Sequence, residues 1–341
     1  MKAIRQGFAY FEEAWAADAV ALIRVGVREQ SVRDFCTWRK QIVPEQLVER
    51  LIKENIHALF FDDENYPRLL RETSDPPEQL FFRGRLPANP LAVAVVGTRR
   101  ATSYGRRCVD RIVPPLARDG CVLISGLALG IDTLVHEACL DSSGTTVAFI
   151  GAGIDEASLY PRANVGLAHR IIAQGGAVVS EYPPGSDSRK EHFPIRNRLI
   201  AGYALATVVV EAAPKSGSLI TARIALEENR EVLAVPGPIM NETSQGTHAL
   251  LRAGAKLCET SADVMAALAL DQPETMKTAR DKLPCSPREQ EIIDLLHESM
   301  TADDLAERLA IPFAELASRL SLLEMKGVLK RAEGNAWMKN Q

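Results

Sequence analysis

Eight residues, Glu191-His192-Phe193-Pro194-Ile195-Arg196-Asn197-Arg198, hold the densest set of recognition chemistry in the chain. Arginine forks grip phosphates, an exposed ring can stack on a base, and an amide can read a base or sugar edge. The plainer reading is a helix start whose arginines are solvated. Several unusual loops, expected at the same edge of one sheet, favour the first.

In an open parallel α/β sheet, ligands sit beyond the carboxyl ends of the strands. Five loops should meet there. The first runs from Gly97, Thr98, Arg99 and Arg100 to Gly105, and the second opens with Ser125 and Gly126. The third is Gly151-Ala152-Gly153, and the fourth runs from Pro183 through Lys190 to Arg198. The fifth is Pro214-Lys215-Ser216-Gly217-Ser218. Glycines let backbone amides approach an anion closely, and helix starts add their dipole. One such loop is ordinary. Five together, three with basic residues, point to a phosphate-rich ligand.

Other chemistries fit less well. The first loop is not G-x-G-x-x-G, and no G-x-x-x-x-G-K-[ST] occurs, so neither a dinucleotide fingerprint nor a P-loop is present. A hydrolase would have to draw on Asp132, His136, Glu137, Glu181, His192, Glu211 or Ser218. Asp132 and His136 read more simply as a helix cap and a buried histidine. Glu181 and Glu211 read more simply as ion-pair partners of neighbouring arginines. His169 and His248 stand singly, no metal-ligand spacing is visible, and no cofactor is expected.

The elements that must position these loops follow from hydrophobic periodicity. Residues 1 to about 60 read as short helices, and VPEQLVERLIKENI places Val43, Leu47, Leu51 and Ile52 on one face. Leu80-Phe81-Phe82 reads as a short strand after Pro67, Pro76 and Pro77. Six apolar runs then read as buried strands: 91–97, 121–126, 145–151, 177–182, 206–212 and 231–237. Helical stretches lie between them, including DTLVHEACL, NVGLAHRIIAQ and SLITARIALEEN. This is the pattern of an open, doubly wound, mainly parallel α/β sheet. Residues 271–282 read as a polar linker. PREQEIIDLLHE, TADDLAERLA and FAELASRLSLLEMKG then give three helices, and VLKRAEGNAWMK a two-stranded wing, the winged-helix layout.

Composition sets outer bounds. The chain has 341 residues, 46% hydrophobic and 25% charged, which are globular values for two or three domains. No run of about 18 apolar residues would span a membrane. Scattered cysteines without C-x-x-C spacing fit a reducing, cytosolic setting. The formal charge of −4 does not advertise a nucleic-acid binder. Placement matters more, because screening limits each charge to roughly 10 Å. Arg99, Arg100, Arg106 and Arg107 form one basic cluster, and Arg189, Lys190, Arg196 and Arg198 another, so a polyanion could lie along one groove.

The loops in this order resemble the DNA-processing protein A (DprA/Smf) family. The resemblance runs from about Tyr66 to Leu268 through YPRLL, LFFRG, VAVVGTRRATSYG, LISGLALGIDTLVHEA, YPRANVGL, SEYPPG, FPIRNRLIAG, SGSLITARIALEENREVLAVPG and GTHALLRAGAKL. Thr98 stands where serine is common, and IDEASLYP is longer than usual. The resemblance implies a SAM-like helical domain (1–62), an extended Rossmann-like core (63–270) and, beyond the linker, a winged helix (283–341). It implies a non-enzymatic binder of single-stranded DNA that protects incoming strands in natural transformation and helps load RecA recombinase, acting as a homodimer. Matched residue by residue, the DNA groove would use Gly97, Thr98, Arg99, Arg100, Ser125, Gly126, Arg162, Lys190, Phe193, Arg196, Asn197 and Arg198. Ser216, Gly217 and Ser218 resemble a phosphate cradle. His248, Leu250, Leu251 and Leu257 resemble a dimer or recombinase-facing surface, with packing on the chain's own sheet as the competing reading.

The winged helix carries seven Lys and Arg against ten Asp and Glu over 283–341. A duplex reader is normally basic, so protein contact or weak DNA contact is expected of it. Two rival functions remain at this point. One is a nucleotide-binding enzyme or sensor related to nucleoside-monophosphate phosphoribohydrolases, with Glu227 or Glu228 supplying the acid. The other is a transcriptional winged-helix regulator.

Overall fold

The structure is a computed structural model. It describes residues 2–88, 90–269, 287–296, 299–309, 311, 316, 319, 320, 323, 329–332 and 336–339. Contacts divide the chain into two compact units, Met1–Met265 and Ala266–Gln341.

The first unit is built on a nine-stranded sheet: β1 (His57–Phe60), β2 (Gln79–Gly84), β3 (Ala92–Val96), β4 (Val122–Ser125), β5 (Thr146–Ile150), β6 (Ala177–Ser180), β7 (Ala206–Val209), β8 (Glu231–Ala234) and β9 (Lys256–Leu257). Its order is β1-β2-β6-β5-β4-β3-β7-β8-β9. Strands β3 to β9 pair in parallel, while β2 lies antiparallel on β6 and β1 antiparallel on β2. Every residue of β3 through β7 is buried, as the continuous apolar runs require when helices cover both faces. The chain steps outward through β4, β5 and β6, then returns across the sheet to add β7 on the other side of β3, with Val96 opposite Val209. That reversal opens a crevice beyond the carboxyl ends, where the glycine loops emerge.

The connecting helices are those the sequence marks. Thr102 caps the Ser103–Arg118 helix by accepting from the Tyr104 and Gly105 amides, each at 3.2 Å. Ile131–Asp141, Val165–Ala173, His192–Tyr203, Gly217–Glu227 and Glu242–Arg252 follow between the strands. The His192–Tyr203 helix starts in the mouth of the crevice and ends in the core, where Leu199, Ile200 and Tyr203 are buried. Phe149 meets Tyr203 edge to face at 5.3 Å.

Five short helices precede β1: Lys2–Gly7, Phe11–Ala16, Ala19–Arg24, Glu29–Arg39 and Pro44–Lys53. The last departs from the expected apolar face. Leu51 packs on the core cluster around Ile56 and Ile154, but Val43, Leu47 and Ile52 are exposed. Polar contacts anchor this segment instead: Arg5 bonds Glu78 at 3.0 Å and meets Asp62, and Arg50 reaches Asp155 at 3.4 Å.

In the second unit the helices Pro287–Leu295 and Ala302–Leu309 accompany a three-stranded antiparallel sheet. Its strands β10 (Met300–Thr301), β11 (Leu329–Ala332) and β12 (Ala336–Lys339) lie in the order β10-β12-β11. Ile292, Leu305, Leu316, Leu320, Leu323, Leu329 and Trp337 form its core. The expected linker at 271–282, and most of the third helical stretch at 313–326, lie outside the described residues. Among the described residues no helix is long and apolar enough to cross a membrane.

Candidate nucleic-acid interface

The His192–Tyr203 helix forms the floor of the crevice, and Arg196 fixes it there. Expected in the groove, Arg196 is buried at 4% exposure. Its guanidinium donates to the Gly126 carbonyl at 2.6 Å and to the Phe149 carbonyl, so one side chain ties the ends of β4 and β5 to the helix. Gly126 is required because that guanidinium lies against it: a Cβ there would stand 2.5 Å from Nη1. Arg196 is thus a positioning residue and presents no free fork to a phosphate.

Below it lies a buried polar layer. Asp132 accepts from the amides of Gly126 at 3.1 Å and Ala128 at 3.3 Å, which shapes the second loop. Burial pushes its carboxyl above the ordinary range, against the opposing pull of Arg196. His136 is fully buried, its Nδ1 2.7 Å from Thr146 Oγ1. Burial lowers it to about 3, with Arg196 acting in the same sense, so it is neutral. Arg196 is itself lowered to about 10 by burial, with Asp132 opposing, and stays cationic at neutral pH. The buried-histidine reading fits His136, whereas Asp132 is no cap: Gly130 holds the N-cap position and Asp132, inside the helix, accepts from amides of the preceding loop.

The exposed rim gathers rings and cations. The Arg99 guanidinium lies 5.1 Å over the Phe193 ring, and Tyr160 meets that ring at 5.9 Å in a tilted contact. Beside them Tyr182 stacks on His192 at 3.9 Å, and His192 Nδ1 reaches the Gly151 carbonyl at 3.2 Å. Arg99, Arg100, Arg189 and Lys190 are all exposed. The first loop is held by backbone bonds: the Thr98 amide donates to Glu211 at 2.8 Å and the Ile131 amide to Thr98 at 3.1 Å. Gly97 allows Ile131 this close, since a Cβ would meet its side chain at 2.6 Å. Gly130, at φ +85°, takes a conformation that glycine favours, with the Thr98 carbonyl 2.3 Å from where a Cβ would be. Asn197 donates to the Gly217 carbonyl at 3.2 Å, linking the floor to the fifth loop.

Several expected groove residues are committed elsewhere. Ser125 is buried and donates to the Val95 carbonyl at 2.8 Å. Arg162 donates to the carbonyls of Glu156 and Ala157 at 2.8 and 2.5 Å. Arg198 grips both oxygens of Glu181, at 2.6 and 2.7 Å, and lies 3.4 Å from Asp75 in a separate cavity beside Arg5. That pair accounts for Glu181, whose carboxyl is raised by burial against the pull of Arg198. Glu211 differs from expectation. It accepts from the Thr102 hydroxyl at 2.6 Å, the Thr102 amide at 3.0 Å and Thr243 at 3.2 Å, and so holds a helix start rather than an arginine.

In the Ser216-Gly217-Ser218 loop the two hydroxyls lie 2.8 Å apart, and Ser216 caps the Gly217–Glu227 helix. A Cβ built on Gly217 would meet nothing within 4 Å, so the loop is open on that side. Of the residues expected on a partner surface, His248 bonds the Gly237 carbonyl at 3.0 Å and Leu250 packs on the core. Leu251 is half-buried and Leu257 exposed.

Tyr160, Tyr182 and Asp155 are what the sequence reasoning missed. Asp155, 2% exposed, accepts from the Gly185 amide at 2.5 Å and from Ser158 at 3.0 Å. It thereby joins the loops bearing Tyr160 and Lys190, and Arg50 reaches it from the helical segment. An acid within an apolar-flanked loop was the available signal.

A family model described as DNA recombination-mediator protein A matches residues 57–269, and one described as DprA winged helix domain matches 276–335. Protein Smf of Escherichia coli is 36% identical over 325 residues, covering 93% of this chain and 86% of that protein. DNA processing protein DprA of Streptococcus pneumoniae is 44% identical over 205 residues, covering 60% of this chain and 71% of that protein. The X-ray structure of the S. pneumoniae protein superposes with a TM-score of 0.63 at 38% identity, covering 73% of this chain and 85% of that one. A Helicobacter pylori DNA processing protein A structure, described for its single-stranded DNA binding mode, gives 0.56 at 30% identity, covering 63% and 96%.

Proposed function

This chain belongs to the DNA recombination-mediator protein A family, and we propose that it binds single-stranded DNA in the crevice beyond the strand ends and helps load RecA recombinase onto it. The observation that carries the reading is the rim itself: Arg99 over Phe193, flanked by Tyr160, with Lys190 exposed at the same mouth. Rings and cations together suit an unpaired strand, whose bases are free to stack and whose phosphates need no sequence code. A duplex hides those base faces. The H. pylori relative, described for binding single-stranded DNA, supports the same reading.

On this proposal the protein is a cytosolic binder without a catalytic step, working as a homodimer. Gly97, Thr98, Arg99, Arg100, Lys190, Phe193 and Asn197 face or frame the strand, while Gly126 and Arg196 hold the floor. Gly217 offers an amide to a phosphate at the far side.

Gel shifts comparing single strand, duplex and a nucleotide competitor test the binding. Single-strand preference undisturbed by millimolar nucleotide is expected, and displacement by nucleotide would sink it. RecA ATPase on strands pre-coated with single-strand binding protein tests the loading. A shortened lag when this protein is added is expected, and an unchanged lag would remove the recombinase from the proposal.

A further inference from the structure

The Ser103–Arg118 helix leads away from the crevice mouth and carries an unusual charge pattern. Arg106, Arg107, Arg111 and Arg118 are exposed along it, and Arg99 and Arg100 immediately precede it. Among the described residues none of Arg100, Arg106, Arg107, Arg111 and Arg118 lies within ion-pairing distance of a carboxylate. Elsewhere on this unit Arg33, Arg50, Arg68, Arg170, Arg198 and Arg223 each pair with a nearby acid. At 100° per residue Arg107, Arg111 and Arg118 fall within one narrow stripe. Arg107 and Arg111 stand about 6 Å apart along the axis, with Arg118 about 10 Å further. Arg107 and Arg111, four apart, repel each other, and Asp110, three residues after Arg107, offsets part of that repulsion.

The stripe also borders a recess. Arg107 and Arg111 line a cavity of about 640 Å³ with Tyr104, Pro236, Cys258 and Glu259. Tyr104 donates to the Pro236 carbonyl at 2.5 Å, which pins its ring. Three acids face this region, Asp110, Glu259 and Asp263, the last within electrostatic reach of Arg111. They outnumber the two arginines of the recess itself; the cation excess lies along the chain from Arg99 to Arg118, where six arginines meet Asp110 alone.

We infer that the Arg107–Arg111–Arg118 stripe is a second anion-binding track, which takes the phosphates of a single strand running out of the crevice past Arg99 and Arg100. It rests on the single-strand reading above but makes a separate claim: the footprint extends beyond the crevice along this helix. Fixed cations spaced along a helix suit a polyanion backbone, and phosphates carry no base identity, so the track is blind to sequence.

The test is anisotropy titration with oligodeoxythymidines of about 6 and about 30 nucleotides, bracketing the roughly 4–16 that single-strand modules cover. Full-length protein is compared with R107Q/R111Q, R107E/R111E and R99Q, each checked for an unchanged unfolding midpoint. For the double variants, binding of the short strand should be unchanged. On the long strand the slope of log K against log salt should flatten by about 1.4, from about 0.7 per lost contact, with charge reversal weakening binding further. Unchanged binding of the long strand would overturn the track and leave the stripe to another partner, such as an acidic protein. Equal losses on both strands would also overturn it, by assigning these arginines to the crevice. R99Q reads the crevice independently and should weaken both lengths.

Discussion

The Arg99 guanidinium covers the face of the Phe193 ring at 5.1 Å, at the mouth of a crevice whose floor is pinned by a different arginine. A cation over a ring is a favourable contact, worth about 0.5–1 kcal/mol where solvent reaches it. It also occupies the surface on which a base would stack. On the proposed single-strand reading, a base would stack on this face only after Arg99 moves off it, which would free the guanidinium for a phosphate.

Phe193→Ala should weaken single-strand binding by about 1–3 kcal/mol, the cost of one stacked base. Phe193→Leu should recover little, because it restores bulk without a π-face. Anisotropy with oligodeoxythymidine and with an abasic strand checks this. A loss of equal size on the abasic strand would show that the ring supports the fold rather than a base.

Arg99→Gln and Lys190→Gln should each flatten the salt dependence by about 0.7 in log K against log salt. Arg162→Gln and Arg198→Gln should leave it unchanged, because their guanidinium groups are occupied by backbone carbonyls and by Glu181. Titrations at several salt concentrations separate the two pairs. A flattened slope for Arg198→Gln would return that residue to the strand.

Arg196→Met should act on stability. It removes two buried carbonyl contacts and the positive charge acting on Asp132, and each buried acceptor left unsatisfied costs about 1–3 kcal/mol. Urea unfolding measures the loss. A fully stable variant with weakened DNA binding would mean that Arg196 turns outward to a phosphate.

Stability should fall on acidification through His136. Burial holds its pKa at about 3, below the ordinary 6.5, so from about pH 6.5 downward the unfolded chain takes up a proton that the fold refuses. Its contribution is complete above pH 6.5 and is lost by up to about 1.4 kcal/mol per pH unit toward pH 3. Asp132 and Glu181, raised by burial, act in the opposite sense, so the informative quantity is the difference between wild type and His136→Gln. Unfolding free energies from pH 7 to 4.5 should converge between the two proteins as pH falls. Parallel curves would show that His136 ionises freely in the fold.

The sequence alone determined the layers and the edge at which the site lies. Six apolar runs of strand length, spaced by amphipathic helices, admit few arrangements besides a parallel sheet covered on both faces, and glycine loops then fall at its carboxyl ends. Local chemistry also marked His136 as a core residue, but it misread Asp132 as a helix cap, because the carboxylate folds back on the Gly126 and Ala128 amides of the loop before the helix. Which arginines are free was decided by the tertiary structure. Arg196 and Arg198 stand two apart on one helix, yet one is spent on carbonyls 70 and 47 residues away and the other on Glu181 and Asp75. Tyr160 joins Phe193 only because separate loops converge. A side chain's charge is written in the sequence, but its availability depends on partners brought together from distant positions.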